Sequence, residues 1–305
     1  MTKLLQPGQI PKATGDPPRV IPPDAGSIFA HRGRRFAALA PGHSLDDYLQ
    51  FMGHLADAQQ KAADRLPAVA LPDEPALALA REHRMPPIPA QRWPREPLWR
   101  DALQTILSEV AAHASPAAAR SIEGLQAMDD DAVEGLAARV LGTELYGEHA
   151  DKLPFVAAAL QVYWTKMAAQ AGTTAITPID VPGVCPCCGG LPVISVIGAC
   201  DDVPGLRYLH CSLCNTQWNL TRVKCSVCDG PENAVSYRHI DGSEELVQAE
   251  VCETCKCYLK IVRRDRNATV DAVADDLATL ALDILVDASG YSRSGPNLLL
   301  VPGEV

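Results

Sequence analysis

Aromatic residues are scarce in this 305-residue chain: they make up 5% of it, with only four phenylalanines. The residues are nonetheless 47% apolar, so a core of ordinary size must be built mainly from Ala, Leu and Val. Long hydrophobic runs are missing as well. No stretch approaches the roughly 18 to 20 apolar residues that a membrane-spanning helix needs. The N-terminal MTKLLQPGQIPKATGDPPR lacks the apolar segment of a secretory signal. Positive charge is not in excess: the formal net charge is −10, and residues 205–266 hold nine Lys/Arg against eight Asp/Glu. That balance argues against a basic nucleic-acid binder. No Gly-rich phosphate loop and no local Ser/His/Asp grouping occurs, so the sequence gives no positive sign of an enzyme. The expectation is a cytoplasmic protein whose thiols stay reduced, with no membrane insertion and no nucleic-acid partner.

Cysteine is what the chain does have. Eight of its eleven cysteines fall into four Cys-x-x-Cys pairs: Cys185/Cys188, Cys211/Cys214, Cys225/Cys228 and Cys252/Cys255. The first two pairs map onto the last two with offsets of 40 and 41 residues, as though one unit were laid down twice. Two thiolates at i and i+3 on a tight turn can reach one ion, and a second such turn completes a tetrahedral four-sulfur site. Gly189 and Gly230 follow the first and third pairs and suit the tight turn that aims backbone amides at the sulfurs. Interleaved pairing is an alternative, but the repeat favours sequential sites, each self-sufficient. A module of about 40 residues buries too little apolar surface to fold alone, so a metal would supply folding free energy. Four thiolates accept iron or zinc equally.

Three cysteines remain. Cys200 is expected to be a small apolar filler, whereas Cys187 and Cys257 adjoin ligand cysteines and could substitute for them or act as reactive thiols. His210 and His239 are expected to be structural or superficial, since the thiolate count is complete without them. Asp275 and Asp276 read as first-turn acids of a helix, favoured there by its dipole rather than catalytic. His31, Arg32, Arg34 and Arg35 read as a solvated helix face or an inter-domain contact.

The fold class is α+β: a helical N-terminal domain, two tandem rubredoxin-like or zinc-ribbon modules, and a C-terminal helix. Residues 1–26 are Pro/Gly-rich and read as an extended arm. Residues 27–172 carry helical periodicity. A capping box at Ser44 and Asp47 is expected to open the first helix read there. Further helices are expected from about Pro97 to before Pro116, after Asp129–Asp131, and from Pro154 to Ala171. The proline-punctuated segment Met85–Pro97 reads as irregular. Residues 173–184 form a linker, 185–222 and 223–270 the two metal modules, and 271–305 a helix near Val273–Ala288 with a tail. Leu191–Ile197 and Val235–Ile240 read as strands. The apolar face of the final helix is assigned to Leu277, Leu280, Ala281, Ile284 and Leu285.

The metal-ligand stretches also carry a resemblance. Arg207-Tyr-Leu209 leading into Cys211–Cys214, Trp218, Arg222–Cys225, Ala249–Cys252 through Tyr258-Leu-Lys260, and Asp275–Asp283 with Gly290-Tyr291 resemble the formate dehydrogenase accessory protein family FdhE. Arg35–Ala40 and Tyr48–Phe51 are similar too. The resemblance implies a cytoplasmic accessory factor that binds the catalytic subunit of a respiratory formate dehydrogenase and is required for active enzyme. It also implies one metal ion per four-cysteine site, with iron favoured, held by the eight paired cysteines. A homodimer is allowed. The alternative is a rubredoxin-like redox or oxygen-sensing protein.

Overall fold

The computed structural model describes residues 17–199, 205–221, 224–230, 234–240 and 246–301. Among the described residues, seven α-helices build the N-terminal half: α1 (Ile28–Leu39), α2 (Asp46–Arg65), α3 (Glu74–Glu82), α4 (Leu98–Val110), α5 (Pro116–Gln126), α6 (Asp130–Leu141) and α7 (Leu153–Ala175). Helix α7 is apolar on all sides, as a helix at the centre of a domain must be. It buries Phe155, Leu160, Tyr163, Trp164 and Met167, with α2, α4 and α6 packed around it. Asp129 caps α6 by accepting from the Ala132 amide, with Asp130 and Asp131 in the first turn.

One local expectation is corrected, and the helix expected to end before Pro116 does so, at Val110. Ser44 and Asp47 form no capping box: α2 begins at Asp46 after an N-cap, Leu45, that makes no side-chain cap bond. The His43 ring takes the Leu45 amide instead, at 3.0 Å. Pro116 does more than mark an end, because Ser115 accepts from the Ala118 amide and Pro116 opens α5. The segment from Met85 to Pro97 contains neither helix nor strand.

The C-terminal half forms one mixed sheet from β2 (Pro192–Ile197), β3 (Arg207–Cys211), β4 (Gln217–Asn219), β5 (Val235–Arg238), β6 (Val247–Cys252) and β7 (Cys257–Arg263). Its first strand, β1 (Val20–Ile21), comes from the segment read as an arm and pairs with β4, while β8 (Ser292–Arg293) pairs with β7. The strand order is β1-β4-β3-β2-β7-β6-β5. Each cysteine unit thus contributes an antiparallel meander. The meanders are joined by parallel pairing of β2 with β7, in the register Ser195↔Ile261, Val196↔Val262 and Ile197↔Arg263.

The single helix expected at Val273–Ala288 is two, α8 (Ala272–Leu277) and α9 (Leu280–Ala288). The break has a cause. The buried Lys260 ammonium takes the Asp276 carbonyl at 2.7 Å and the Thr279 carbonyl at 3.3 Å, and the Thr279 hydroxyl donates to the Asp275 carbonyl. The face is corrected too: Ile284 and Leu285 point to solvent, and Leu282 and Val286 pack on Ala249, Val251, Tyr258 and Tyr291.

Candidate metal centres

Four tight turns, or knuckles, carry the paired cysteines. In each, the residue after the second cysteine takes a left-handed backbone: Gly189, Asn215, Asp229 and Lys256, at φ +74°, +57°, +50° and +54°. The two glycines singled out from the sequence therefore differ, since Gly189 makes the expected turn and Gly230 does not. Gly189 supplies a positive φ, whereas Gly190 and Gly230, two residues past their cysteines, supply space. A Cβ on Gly190 would sit 3.3 Å from Cys188 Sγ, and one on Gly230 would sit 3.1 Å from Cys228 Sγ. The chain direction set by these turns aims amides at sulfur. Gly190 N donates to Cys188 Sγ, Leu213 N and Cys214 N to Cys211 Sγ, and Val227 N to Cys225 Sγ, each at 3.4 Å.

The turns bring the sulfurs together in sequential order. Cys185, Cys188, Cys211 and Cys214 form one group, and Cys225, Cys228, Cys252 and Cys255 a second, with all sulfurs in a group within 4.8 Å of one another. Sγ···Sγ separations are 3.5 Å for Cys185–Cys214 and Cys188–Cys211, and 3.7 Å for Cys225–Cys255 and Cys228–Cys252. A tetrahedron with metal–sulfur bonds of about 2.3 Å has edges of about 3.8 Å. The donor sets therefore fit an ion in both places, and each group could hold one.

Electrostatics point the same way. Burial and the neighbouring thiols push Cys185 well above its ordinary value. Burial works to raise Cys214 too, but hydrogen bonds from Cys185, Cys187, Cys188 and Cys211 hold it well below. In the second group burial also opposes ionisation of Cys252, yet the Cys255 and Thr254 amides bring it down to about 7, while Cys255 is pushed up to about 12, mainly by burial. In each group one thiol, Cys214 or Cys252, is thus lowered while neighbours such as Cys185 and Cys255 are raised. Four thiolates together require a cation among them.

The first group is embedded in the helical domain. Ile88 N and Ala90 N donate to the Cys187 and Cys188 carbonyls at 3.1 and 2.9 Å, so the irregular proline segment clamps the first knuckle. Gln161 of α7 donates to the Ser212 carbonyl at 2.8 Å. Asn215 is the junction. Its Oδ1 accepts from Arg32 Nη2 at 2.9 Å and from His210 Nε2 at 3.0 Å, and its Nδ2 donates to Thr165 at 2.8 Å. Arg32 in turn pairs with Asp271 at 3.1 Å, and Arg35 with Asp275 at 2.6 Å.

The basic stretch on α1 is thus an inter-domain contact through Arg32 and Arg35, with Arg34 exposed. Asp275 does lie in the first turn of α8, and both Asp275 and Asp276 are buried ion-pair partners. Asp276 meets Lys260 at 2.9 Å and Arg293 at 2.7 Å. Cys187 is buried beside Cys214, Cys257 Sγ approaches the Cys255 carbonyl at 3.5 Å, and Cys200 lies outside the described residues. His210 is buried and turned to Asn215, and His239 is exposed. Sequence reasoning did not find Asn215, Gln161, Thr165 or Asp271. An Asn directly after a knuckle cysteine was the one available signal, since Asn tolerates the left-handed conformation. It also missed Arg207 and Glu250, a buried pair at 2.7 Å.

A helical domain locked onto a sheet that carries two four-cysteine clusters defines a class of thiolate-rich, metal-site proteins. Matches to known families then narrow the class. Residues 17–179 match the family described as FdhE, N-terminal, 184–222 match FdhE, central domain, and 223–300 match FdhE, C-terminal domain. A "Protein FdhE homolog" of Edwardsiella ictaluri is 39% identical over 283 residues, covering 92% of this chain and 91% of that one. Another, of Pseudomonas aeruginosa, is 37% identical over 305 residues, covering 98% of each chain. The crystal structure of the FdhE protein from Pseudomonas aeruginosa superposes with a TM-score of 0.84 at 35% identity, covering 94% of this chain and 100% of that one. The chain belongs to the FdhE family. No helix among the described residues is long and apolar enough to cross a membrane.

Proposed function

We propose that this chain is a non-catalytic maturation factor that docks, in the cytoplasm, onto the catalytic subunit of a respiratory formate dehydrogenase. Family membership along the whole chain carries this reading. Cys185, Cys188, Cys211 and Cys214 hold one metal ion, and Cys225, Cys228, Cys252 and Cys255 a second. Iron agrees with the rubredoxin-like arrangement, and zinc suits the same donors. Metal binding at a four-thiolate site contributes about 10–16 kcal/mol of folding free energy, enough to hold the docking surface in shape. The acids that might have suggested catalysis, Asp275 and Asp276, are committed to structural ion pairs.

The test uses purified catalytic subunit mixed with the full-length protein under anaerobic conditions. A complex should elute together in gel filtration and weaken when Cys185 and Cys188 are changed to alanine. Absence of a complex, or an equally tight one from chain whose C-terminal half is metal-free and unfolded, overturns the reading. A second reading, electron transfer or oxygen sensing, is favoured by one observation: Cys228 faces solvent. A zinc-only protein that still supports formation of active enzyme excludes electron transfer.

A further inference from the structure

The two cysteine groups have the same donors and different housing. All four sulfurs of the first belong to residues at most 1% exposed, and they sit inside the main core with Leu160, Trp164 and Leu213. The 85–97 segment and α7 are bonded to the knuckles that carry them, through Ile88, Ala90, Gln161 and Asn215. The second group lies apart. Cys225 and Cys252 form a small cluster with Ala234, Cys255 is half-buried, Cys228 is exposed, and Val227 at the tip of its knuckle is 52% exposed. The body holds this knuckle through the Arg207 guanidinium at the Lys224 carbonyl, 2.8 Å, and through Gly183 packed against the Ser226 carbonyl.

We propose that the two sites have divided duties. The Cys185/Cys188/Cys211/Cys214 site is a permanent fastener between helical domain and sheet, and the Cys225/Cys228/Cys252/Cys255 site is exchangeable, opening to solvent at Cys228. The inference rests on the four-thiolate metal reading given above. Local opening free energies run from near zero at exposed segments to the global stability in the core, and the two sites stand at opposite ends of that range. Release involves no electron transfer: the ion passes to a chelator, and the freed sulfurs take up protons from water. A site of this kind can give up or take on a thiophilic ion, or expose a reactive thiol, while the rest of the fold stays assembled.

The experiment uses the full-length protein loaded anaerobically with Zn²⁺, its metal content measured before anything else. Excess EDTA is added, release is followed in time, and iodoacetamide pulses mark freed thiols for peptide mass mapping. Release should occur in two phases of equal size, separated by about tenfold or more in rate. Alkylation during the fast phase should fall on Cys225, Cys228, Cys252 and Cys255, with near-UV circular dichroism from the buried tryptophans retained. Cys228→Ser should remove the fast phase and leave the slow one, and Asn215→Ala should accelerate the slow one. Two ions leaving at one rate, or early alkylation of Cys185, Cys188, Cys211 or Cys214, overturns the division of duties alone. Fewer than two ions at the outset overturns the metal reading together with it.

Discussion

Asp271 offers the sharpest test of how the helical domain is fixed to the sheet. Its carboxylate accepts from Arg32 Nε at 3.1 Å and from the Val273 and Ala274 amides at 2.9 and 2.8 Å, so one side chain pairs a cation and caps α8. Neither side of the ion pair reaches water: the side chains are 0% and 4% exposed. Asp271→Ala strands the Arg32 charge, at about 3–5 kcal/mol, and removes a cap worth about 1 kcal/mol. The expected loss in unfolding free energy is therefore about 4–6 kcal/mol. Asp271→Asn keeps the cap and loses only the charge, so it should fall between wild type and Ala. The double variant Arg32→Met/Asp271→Asn should be less damaged than Asp271→Ala, because stranding a buried charge costs more than lacking the pair. Urea unfolding of the metal-loaded protein, followed by tryptophan fluorescence, measures all three. The pH dependence has a definite sign. Burial works to raise Asp271, but Arg32 and the Ala274 amide outweigh it and hold the folded value below the ordinary one. Its stabilising contribution is then complete above the unfolded carboxylate value, near pH 4, and is lost as pH falls through the lower folded value. An Asp271→Ala loss below about 1 kcal/mol refutes the reasoning, since it would mean that Arg32 finds other partners or water.

Gly183→Ala should disturb the second cysteine site selectively. The new Cβ would lie 2.0 Å from the Ser226 carbonyl oxygen, so the knuckle between Cys225 and Cys228 must shift. Competition against a chelator should show weaker binding of one ion, and equal weakening of both would contradict the geometry. Gly190→Ala should strike the first site, where the added methyl meets two sulfurs at 3.3 and 3.5 Å. A drop in thermal midpoint for the whole chain is expected, because that site sits in the main core, and an unchanged midpoint would speak against its fastening role. Complete metal removal should expose the buried Trp164 to quencher, whereas an apo protein with native near-UV dichroism would show that the ions add nothing to packing.

The elements that were legible from the sequence are those whose cause is local. The Asp129–Asp131 start of α6 and the apolar text of α7 are read within a turn or two of chain, and they lie where periodicity puts them. The eight cysteines are legible because i, i+3 spacing on a turn is itself the geometry that lets two sulfurs converge. Elements with distant causes were misread. The final helix is written as one amphipathic run, yet an ammonium from β7 draws out the carbonyls that would have continued it. Its buried face follows from β6 and Tyr291 beneath it, not from the strongest local pattern. Gly189 and Gly230 looked equivalent because both follow a cysteine pair, but a one-residue difference separates a φ requirement from a space requirement.

By itself, then, the sequence determined the α+β class and the four Cys-x-x-Cys pairs, since each depends on residue type and short-range spacing. The tertiary structure alone decided the rest. Parallel pairing of β2 with β7 merges two repeated units into one sheet, and Arg32 meets Asp271 across 239 residues of chain. Those long-range contacts also made two sites with identical ligands unequal. One lies at the junction of helices and sheet, where burial follows from everything packed around it. The other lies in a small cluster of its own, where Cys228 is exposed among the described residues.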